Sequence, residues 1–111
     1  MNQMRDLNEK CAVVGIFGVP DAAKFAYFSL FAMQHRGQEA SGISSSDGKK
    51  LHTIKDRGLV TQVFDEAKLA KLSGGMAVGH NRYSTAGEDS ILDAQPVFAR
   101  YDLGEMSIVH N

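Results

Sequence analysis

A short apolar run near the start of the chain constrains its fold more than any other feature. Residues 12–17 read AVVGIF, with two valines and an isoleucine, and the turn sequence GVPD follows directly at residues 18–21. An apolar run of this length, closed by a turn, predicts a strand buried on both faces. Such a strand needs packed layers on both sides of its sheet, so we expect a layered domain.

The segment after this strand predicts a helix over residues 22–36. Asp21 is the expected N-cap residue and Gly37 the expected C-terminal stop. Apolar side chains cover most of the helical circumference, which predicts a largely buried helix.

The rest of the chain alternates between strand and helix signals. Asp47-Gly48 separates two short segments and predicts a β-hairpin, while Asp65 is placed to begin a short helix. The predicted hairpin, helical region and two later strands occupy, in order, residues 41–55, 59–74, 76–84 and 106–110. This order predicts an α+β fold rather than a parallel α/β sheet.

Composition excludes several classes of function. The 12 lysines and arginines balance 13 aspartates and glutamates, which predicts no nucleic-acid partner. We expect no membrane span, and we expect a cytoplasmic protein because residues 1–10 contain no secretory signal. One cysteine excludes an internal disulfide, and the four histidines lack zinc-ligand spacing, so we predict no metal site.

Cys11 is the only cysteine and stands directly before the apolar run. A lone cysteine at a strand end is commonly a small buried hydrophobe. A nucleophilic thiol needs a base, since its free pKa is about 8.5. Cleavage between Lys10 and Cys11 would create an α-amino group with a reference pKa of about 7.7 to 8.0, on the same residue as the sulfur. Both interpretations stay open from the cysteine alone.

Two arginines lie in polar, glycine-containing segments, HRGQEASG and GHNRYSTAG. The guanidinium groups of Arg36 and Arg82 could bind a carboxylate in a bidentate manner. Structural ion pairs with Glu39 and Glu88 are the alternatives.

Asn111 follows an apolar segment, SIVH, at the end of the sequence. Its side-chain amide could donate to a developing oxyanion, although an asparagine at a strand end commonly begins a turn. Because the chain stops directly after this apolar strand, we expect it to be a truncated domain.

Five motifs, taken in order, resemble one enzyme family. CAVVGIFG, MQHRGQEASGI, VGHNRYSTAG, QPV and IVHN resemble the N-terminal glutaminase domain of the amidophosphoribosyltransferases, which are class II, N-terminal-nucleophile glutamine amidotransferases. The resemblance runs from Cys11 to Asn111. Glucosamine-6-phosphate synthase, of the same class, would be expected to have tyrosine and tryptophan in place of His35 and Tyr83.

This resemblance implies a partial four-layer αββα sandwich of the N-terminal nucleophile hydrolases. Residues 1–10 would be a propeptide, and residues 11–111 would be the N-terminal portion of a glutamine amidotransferase type-2 domain, with the phosphoribosyltransferase domain absent.

The resemblance also implies a set of site residues. Cys11 would be the nucleophile and Asn111 an oxyanion-hole donor. Arg82 and Thr85 would bind the substrate glutamine. Arg36 and His80 would support the site.

For the whole enzyme, the resemblance implies transfer of ammonia from glutamine to phosphoribosyl pyrophosphate, which gives 5-phosphoribosylamine in the first step of de novo purine synthesis. It implies a homo-oligomer with Mg and a 4Fe-4S cluster, while this chain itself is expected to hold no cofactor. The alternatives are a catalytically inactive truncated fragment and another N-terminal-cysteine glutamine amidotransferase.

Overall fold

The computed structural model describes residues 11–34, 38–83 and 94–111. These residues form six strands and three helices. In chain order they are β1 (Ala12–Phe17), α1 (Ala22–Met33), β2 (Gln38–Ser46), β3 (Leu51–Arg57), α2 (Val60–Val63), α3 (Glu66–Ala70), β4 (Met76–Tyr83), β5 (Val97–Tyr101) and β6 (Gly104–Ile108).

Four of the strands form an antiparallel sheet in the order β1-β4-β2-β3. The hairpin prediction is confirmed, because β2 and β3 pair on either side of Asp47 and Gly48. Asp47 Oδ1 accepts hydrogen bonds from the backbone N–H groups of Lys49 and Lys50. Gly48 has φ +93°, a conformation that residues with a Cβ rarely adopt.

Helix α1 packs across β1 and β4 through a face of small residues and one leucine. Its fully buried residues are Ala22, Ala23, Ala26 and Leu30. At Gly79 on β4, an added Cβ would lie 2.9 Å from Val14 Cγ1 and 3.0 Å from Leu30 Cδ1. The helix approaches the sheet this closely because Gly79 has no side chain.

The helix predicted over residues 22–36 begins at Ala22 as expected but ends at Met33. Gln34 is already extended, and residues 35–37, with the predicted stop Gly37, lie outside the described residues. The capping prediction was wrong, because Asp21 adopts a left-handed conformation with φ 56° and its side chain makes no capping hydrogen bond.

The prediction of a largely buried α1 was also wrong. Only the face toward the sheet is covered, and Phe25, Phe28 and Phe31 are each more than half exposed. An apolar circumference therefore does not bury a helix unless a second layer packs against it.

The two short helices close the rest of the core on the same side of the sheet as α1. Asp65 caps α3 as predicted, since its Oδ1 accepts from the N–H of Lys68 at 2.8 Å. Val60, Phe64 and Leu72 join the buried cluster around Leu30.

A second sheet, formed by β5 and β6, lies against the opposite face. The strand predicted over residues 106–110 occupies Gly104–Ile108, because the backbone of His110 bonds to side chains instead of to a strand. Strand β5 was missed because its five residues are all exposed and show no alternation. Its β-branched and aromatic residues, followed by Gly104 with φ +154°, were the available signal.

The described residues thus form an α+β fold with helix, sheet and sheet layers, as the αββα resemblance implied. The prediction that β1 is buried on both faces was wrong. Val14 and Ile16 face the helix, whereas Val13 and Phe17 are exposed. Within the described segments, the β5–β6 layer does not cover the Phe17 end of β1. No helix in these segments is long and apolar enough to cross a membrane.

Candidate active site

Successive side chains of β4 point to opposite faces of the sheet, so its structural residues lie on one face and its candidate functional residues on the other. Gly79, Asn81 and Tyr83 face α1, as shown by the contact between Gly79 and Leu30 and by the bonds of Asn81 and Tyr83 to the helix backbone. The residues between them, His80 and Arg82, therefore face the second sheet.

On the helix side, Asn81 is fully buried and both of its polar atoms are bonded. Its Nδ2 donates to the carbonyl oxygen of Leu30 at 2.9 Å, and its Oδ1 accepts from Ser41 Oγ at 2.7 Å. Tyr83 donates to the carbonyl oxygen of Met33 at 3.4 Å. These two side chains bond carbonyl groups that α1 leaves without helical partners at its C-terminus.

On the opposite face, His80 connects the two sheets. Its side chain is buried, and Nε2 lies 3.0 Å from the carbonyl oxygen of His110. A carbonyl accepts only, so Nε2 carries the proton and donates. In the neutral ring Nδ1 is then unprotonated and can only accept a hydrogen bond, and it is buried without a partner among the described residues.

The environment of His80 keeps its ring neutral. Burial lowers its pKa to about 4; the His110 carbonyl raises it, and the nearby charges of Arg82 and His110 lower it further. At neutral pH this histidine is therefore a fixed hydrogen-bonding group and not a cation.

Cys11 lies at the start of β1, beside these residues. Ala12 pairs with Asn81 and Val13 with His80, so a continued register sets Cys11 opposite Arg82. By alternation, Cys11 belongs to the face of Val13 and His80. Its thiol is free and partly accessible.

Asn111 reaches the same region from the second sheet. It follows His110, whose carbonyl is bound by His80, and its side chain is exposed. A shallow depression of about 260 Å³ lies next to His110, lined by Val13, Val14, Gly15, Val78 and Val109, and none of the predicted site residues that the structure describes is part of its lining. Four of the six predicted site residues, Cys11, His80, Arg82 and Asn111, thus converge on one end of the sandwich.

The other two predicted site residues, Arg36 and Thr85, lie outside the described residues. The roles assigned to all six side chains stay predictions, because convergence places the groups without showing what they bind. Among the residues that the structure describes, no cluster of three or more histidine, cysteine, aspartate or glutamate side chains is arranged to hold a metal ion.

Sequence reasoning missed two residues that build this site. Gln95 Oε1 accepts from the backbone N–H of His110 at 2.7 Å, and Lys55 Nζ donates to the carbonyl oxygens of Ala94 and Pro96 at 2.9 and 2.8 Å. The motif QPV contained Gln95, but only the fold shows which backbone group it contacts.

Comparison with known sequences identifies clear relatives, although no family model matches the chain. Amidophosphoribosyltransferase of Synechocystis sp. is 48% identical over 104 residues, covering 93% of this chain and 21% of the relative. The Mycobacterium tuberculosis enzyme is 47% identical over 112 aligned positions, covering 96% of this chain and 21% of the relative. The chloroplastic enzyme of Vigna aconitifolia is 46% identical over 103 residues, again with 93% and 21% coverage.

Comparison with solved structures identifies the same enzyme family as the comparison with known sequences. Glutamine phosphoribosylpyrophosphate amidotransferase from B. subtilis, in complex with ADP and GMP, aligns with a TM-score of 0.77 at 40% identity, over 86% of this chain and 20% of that one. A structure described as the allosteric regulatory enzyme of purine biosynthesis aligns with a TM-score of 0.80 at 42% identity, over 86% and 21%. The chain is therefore a homologue of the amidophosphoribosyltransferases that matches their N-terminal domain and spans about a fifth of the length of these relatives.

Proposed function

We propose that the chain is the N-terminal part of a glutamine amidotransferase domain and that the protein containing it releases ammonia from glutamine. The observation that carries the proposal is the convergence of Cys11, His80, Arg82 and Asn111 at one end of the two sheets. A nucleophile, a carboxylate-binding cation and an amide donor are the groups that hydrolysis of a glutamine amide requires.

Removal of residues 1–10 is part of the proposal, because it gives Cys11 a base. The freed α-amino group accepts the thiol proton as Sγ attacks the side-chain amide carbon of glutamine, and it returns the proton to the departing ammonia. Water then cleaves the thioester, releasing glutamate and restoring the thiol. The nitrogen of an uncleaved Lys10-Cys11 peptide bond is not basic, so the precursor lacks this proton acceptor.

Arg82 and Asn111 bind the two ends of the substrate in this scheme. The Arg82 guanidinium and Thr85 hold the α-carboxylate of glutamine, and the Asn111 amide donates to the oxyanion that forms on the side-chain carbonyl. Arg36 supports the nucleophile. His80, neutral at the working pH, holds the backbone beside Asn111 without adding charge.

For the longer protein we propose the activity that the relatives' name describes. Ammonia displaces pyrophosphate from phosphoribosyl pyrophosphate to give 5-phosphoribosylamine, the first step of de novo purine synthesis. The sequence resemblance and the 40% identity to a solved glutamine phosphoribosylpyrophosphate amidotransferase support this assignment. A homo-oligomeric enzyme in the cytoplasm is part of the proposal, and it can be checked by sedimentation and by cell fractionation.

The 4Fe-4S cluster that the resemblance implies does not fit this chain. A 4Fe-4S cluster takes four thiolate ligands, and Cys11 is the only cysteine. We propose that the cluster and the Mg ion are bound by the rest of the longer protein and that the reaction at Cys11 uses neither.

The alternative of a catalytically inactive 111-residue fragment is supported by apolar surface, since Phe17, Phe28 and Leu103 are 80%, 62% and 92% exposed. Exposed surface of this kind favours association over independent stability. We expect the isolated chain to have negligible glutaminase activity; cooperative unfolding of an active monomer would contradict this.

The test of the glutaminase proposal is mass spectrometry of the purified full-length protein. We expect loss of residues 1–10 and covalent labelling of Cys11 by a diazoketone analogue of glutamine, with labelling abolished in Cys11→Ala. Full glutaminase activity from a protein that retains Met1 would overturn the N-terminal nucleophile assignment. Glutamate release without 5-phosphoribosylamine formation would instead favour another N-terminal-cysteine amidotransferase.

A further inference from the structure

The backbone of His110 is held from both directions by side chains. Its N–H donates to Gln95 Oε1 at 2.7 Å, and its carbonyl oxygen accepts from His80 Nε2 at 3.0 Å. Because β6 ends at Ile108, these two bonds replace the ladder hydrogen bonds that a continued strand would supply. The peptide before Asn111 is therefore positioned by Gln95 and His80.

The segment that carries Gln95 is itself tightly held. Lys55 Nζ donates to the carbonyl oxygens of Ala94 and Pro96, on either side of Gln95. An added Cβ at Gly42 would collide with the Gln95 carbonyl and approach Pro96 Cδ to 2.8 Å. The absence of a side chain at Gly42 thus lets this segment lie directly on the four-stranded sheet.

The other side of the support, His80, is enclosed within the four-stranded sheet. His80 is 1% exposed, and its Cα partners across the sheet are Val13 on β1 and Gly42 on β2. The same residue therefore lies between the strand that follows Cys11 and the backbone that precedes Asn111. A shift of His110 would change the separation between those two ends.

We propose that Gln95 is a positioning residue for catalysis, which together with His80 fixes the His110 backbone and so places the Asn111 amide relative to Cys11. This inference rests on the proposed glutaminase function. An oxyanion donor contributes only when it is held where charge develops, so loosening its support lowers kcat more than it weakens glutamine binding.

The test compares two glutamines that make the same kind of bond. Gln95→Leu removes the acceptor for His110 N–H, and Gln95→Glu keeps a side-chain oxygen acceptor there. Gln62→Leu is the matched control, because Gln62 Oε1 accepts from the backbone N–H of Leu59 at 2.8 Å, in the turn that leads into α2. Gln95→Met repeats the test if the leucine variant does not fold.

Steady-state glutamine hydrolysis by the full-length enzyme is the first measurement. We expect kcat to fall about 10- to 100-fold in Gln95→Leu with KM nearly unchanged, since loss of a whole oxyanion donor costs about 100- to 1000-fold. Gln62→Leu is expected to stay within about threefold of the unmodified enzyme, because Gln62 does not contact the His110 backbone. Gln95→Glu is expected to restore part of the kcat lost in Gln95→Leu, because it keeps an acceptor for His110 N–H. A normal kcat in Gln95→Leu, or a rise in KM alone, would overturn the proposal.

Hydrogen exchange of the His110 amide is the second measurement, and it does not depend on activity. Exchange should accelerate at least about tenfold in Gln95→Leu and remain unchanged in Gln62→Leu, because only the former loses the His110 hydrogen bond. Unchanged exchange in Gln95→Leu contradicts the inference even if the enzyme is active. Accelerated exchange in a protein that lacks glutaminase activity refutes the proposed function and leaves Gln95 as a purely structural support.

Discussion

Two neighbouring residues of β4, Asn81 and His80, face opposite sides of the four-stranded sheet and differ in how their polar atoms are bonded. Toward α1, Asn81 is fully buried with both polar atoms bonded, and Gly79 lets Leu30 pack closely. Toward the second sheet, His80 Nδ1 and Ser107 Oγ are buried without partners among the described residues. Because Gln34 Oε1, next to the C-terminus of α1, is also buried without a partner among the described residues, the contrast is one between residues of β4: Asn81 serves stability, whereas His80 Nδ1 is an acceptor that no described residue uses.

Two asparagines show the same contrast in a single residue type. Asn81 is buried and joins Ser41 to the helix backbone, while Asn111 is exposed and follows His110, whose carbonyl oxygen accepts from His80. Replacing the first should therefore change stability, and replacing the second should change chemistry.

The largest expected effect is on catalysis at Asn111. Asn111→Ala should lower kcat for glutamine hydrolysis about 100-fold or more with little change in KM, because an oxyanion donor acts mainly in the transition state. Thermal unfolding of the variant checks that a loss of kcat is not a loss of folding. A KM increase at constant kcat would show that Asn111 binds substrate instead.

The matching change on the helix side is Asn81→Leu. It leaves the Ser41 hydroxyl and the Leu30 carbonyl buried without this partner, which should lower the free energy of unfolding by about 2 to 4 kcal/mol. Urea unfolding measures the loss. Catalytic constants of the remaining folded enzyme should be normal, and a selective loss of kcat would contradict the division between the faces.

Titration of the His80 ring should make the free energy of unfolding depend on pH. Burial holds the pKa of His80 at about 4, compared with 6.5 for a free histidine, so the folded protein favours the neutral ring. This contribution is complete above pH 6.5 and is lost as the pH falls toward 4, on the order of 3 kcal/mol from the cited shift. Urea unfolding across this range, with NMR titration of the ring, measures it.

The control for this pH dependence is His80→Gln, whose side-chain N–H can take the place of His80 Nε2–H toward the His110 carbonyl oxygen but cannot titrate. Its stability should vary less between pH 6.5 and 4. A ring that titrates above its ordinary value in the unmodified protein would show that His80 is a buried cation.

The smallest expected effect is on stability, and it is measured by substituting two glycines, Gly79 on β4 and Gly15 on β1. Gly79→Ala places a Cβ 2.9 Å from Val14 Cγ1 on the helix side, and overpacking of this kind costs about 1 to 3 kcal/mol. Gly15→Ala meets nothing within 4 Å, so its change in stability should stay within about 0.5 kcal/mol. Equal effects in thermal or urea unfolding would show that the two faces pack alike.

Local sequence signals predicted most of the elements correctly. The AVVGIF run, the Asp47-Gly48 turn and the Asp65 cap each act through nearby backbone geometry, and the strand, the hairpin and the cap predicted from them are confirmed. The predicted burial of that strand on both faces was wrong, because burial depends on the layers packed against it. The length of α1 was less predictable, because its last carbonyls accept from Asn81 and Tyr83, which are about 50 residues away. Strand β5 carried no alternation, since none of its residues is buried.

The sequence by itself determined the chemical inventory: one cysteine, the order of the motifs and their resemblance to a glutaminase domain. Only the tertiary structure decided that Val13 pairs with His80, that His80 binds the backbone before Asn111, and that Gln95 holds the same peptide from the other side. The reason is physical. Strand register and sheet stacking are set by burial over the whole domain, and they bring together groups that no local spacing relates.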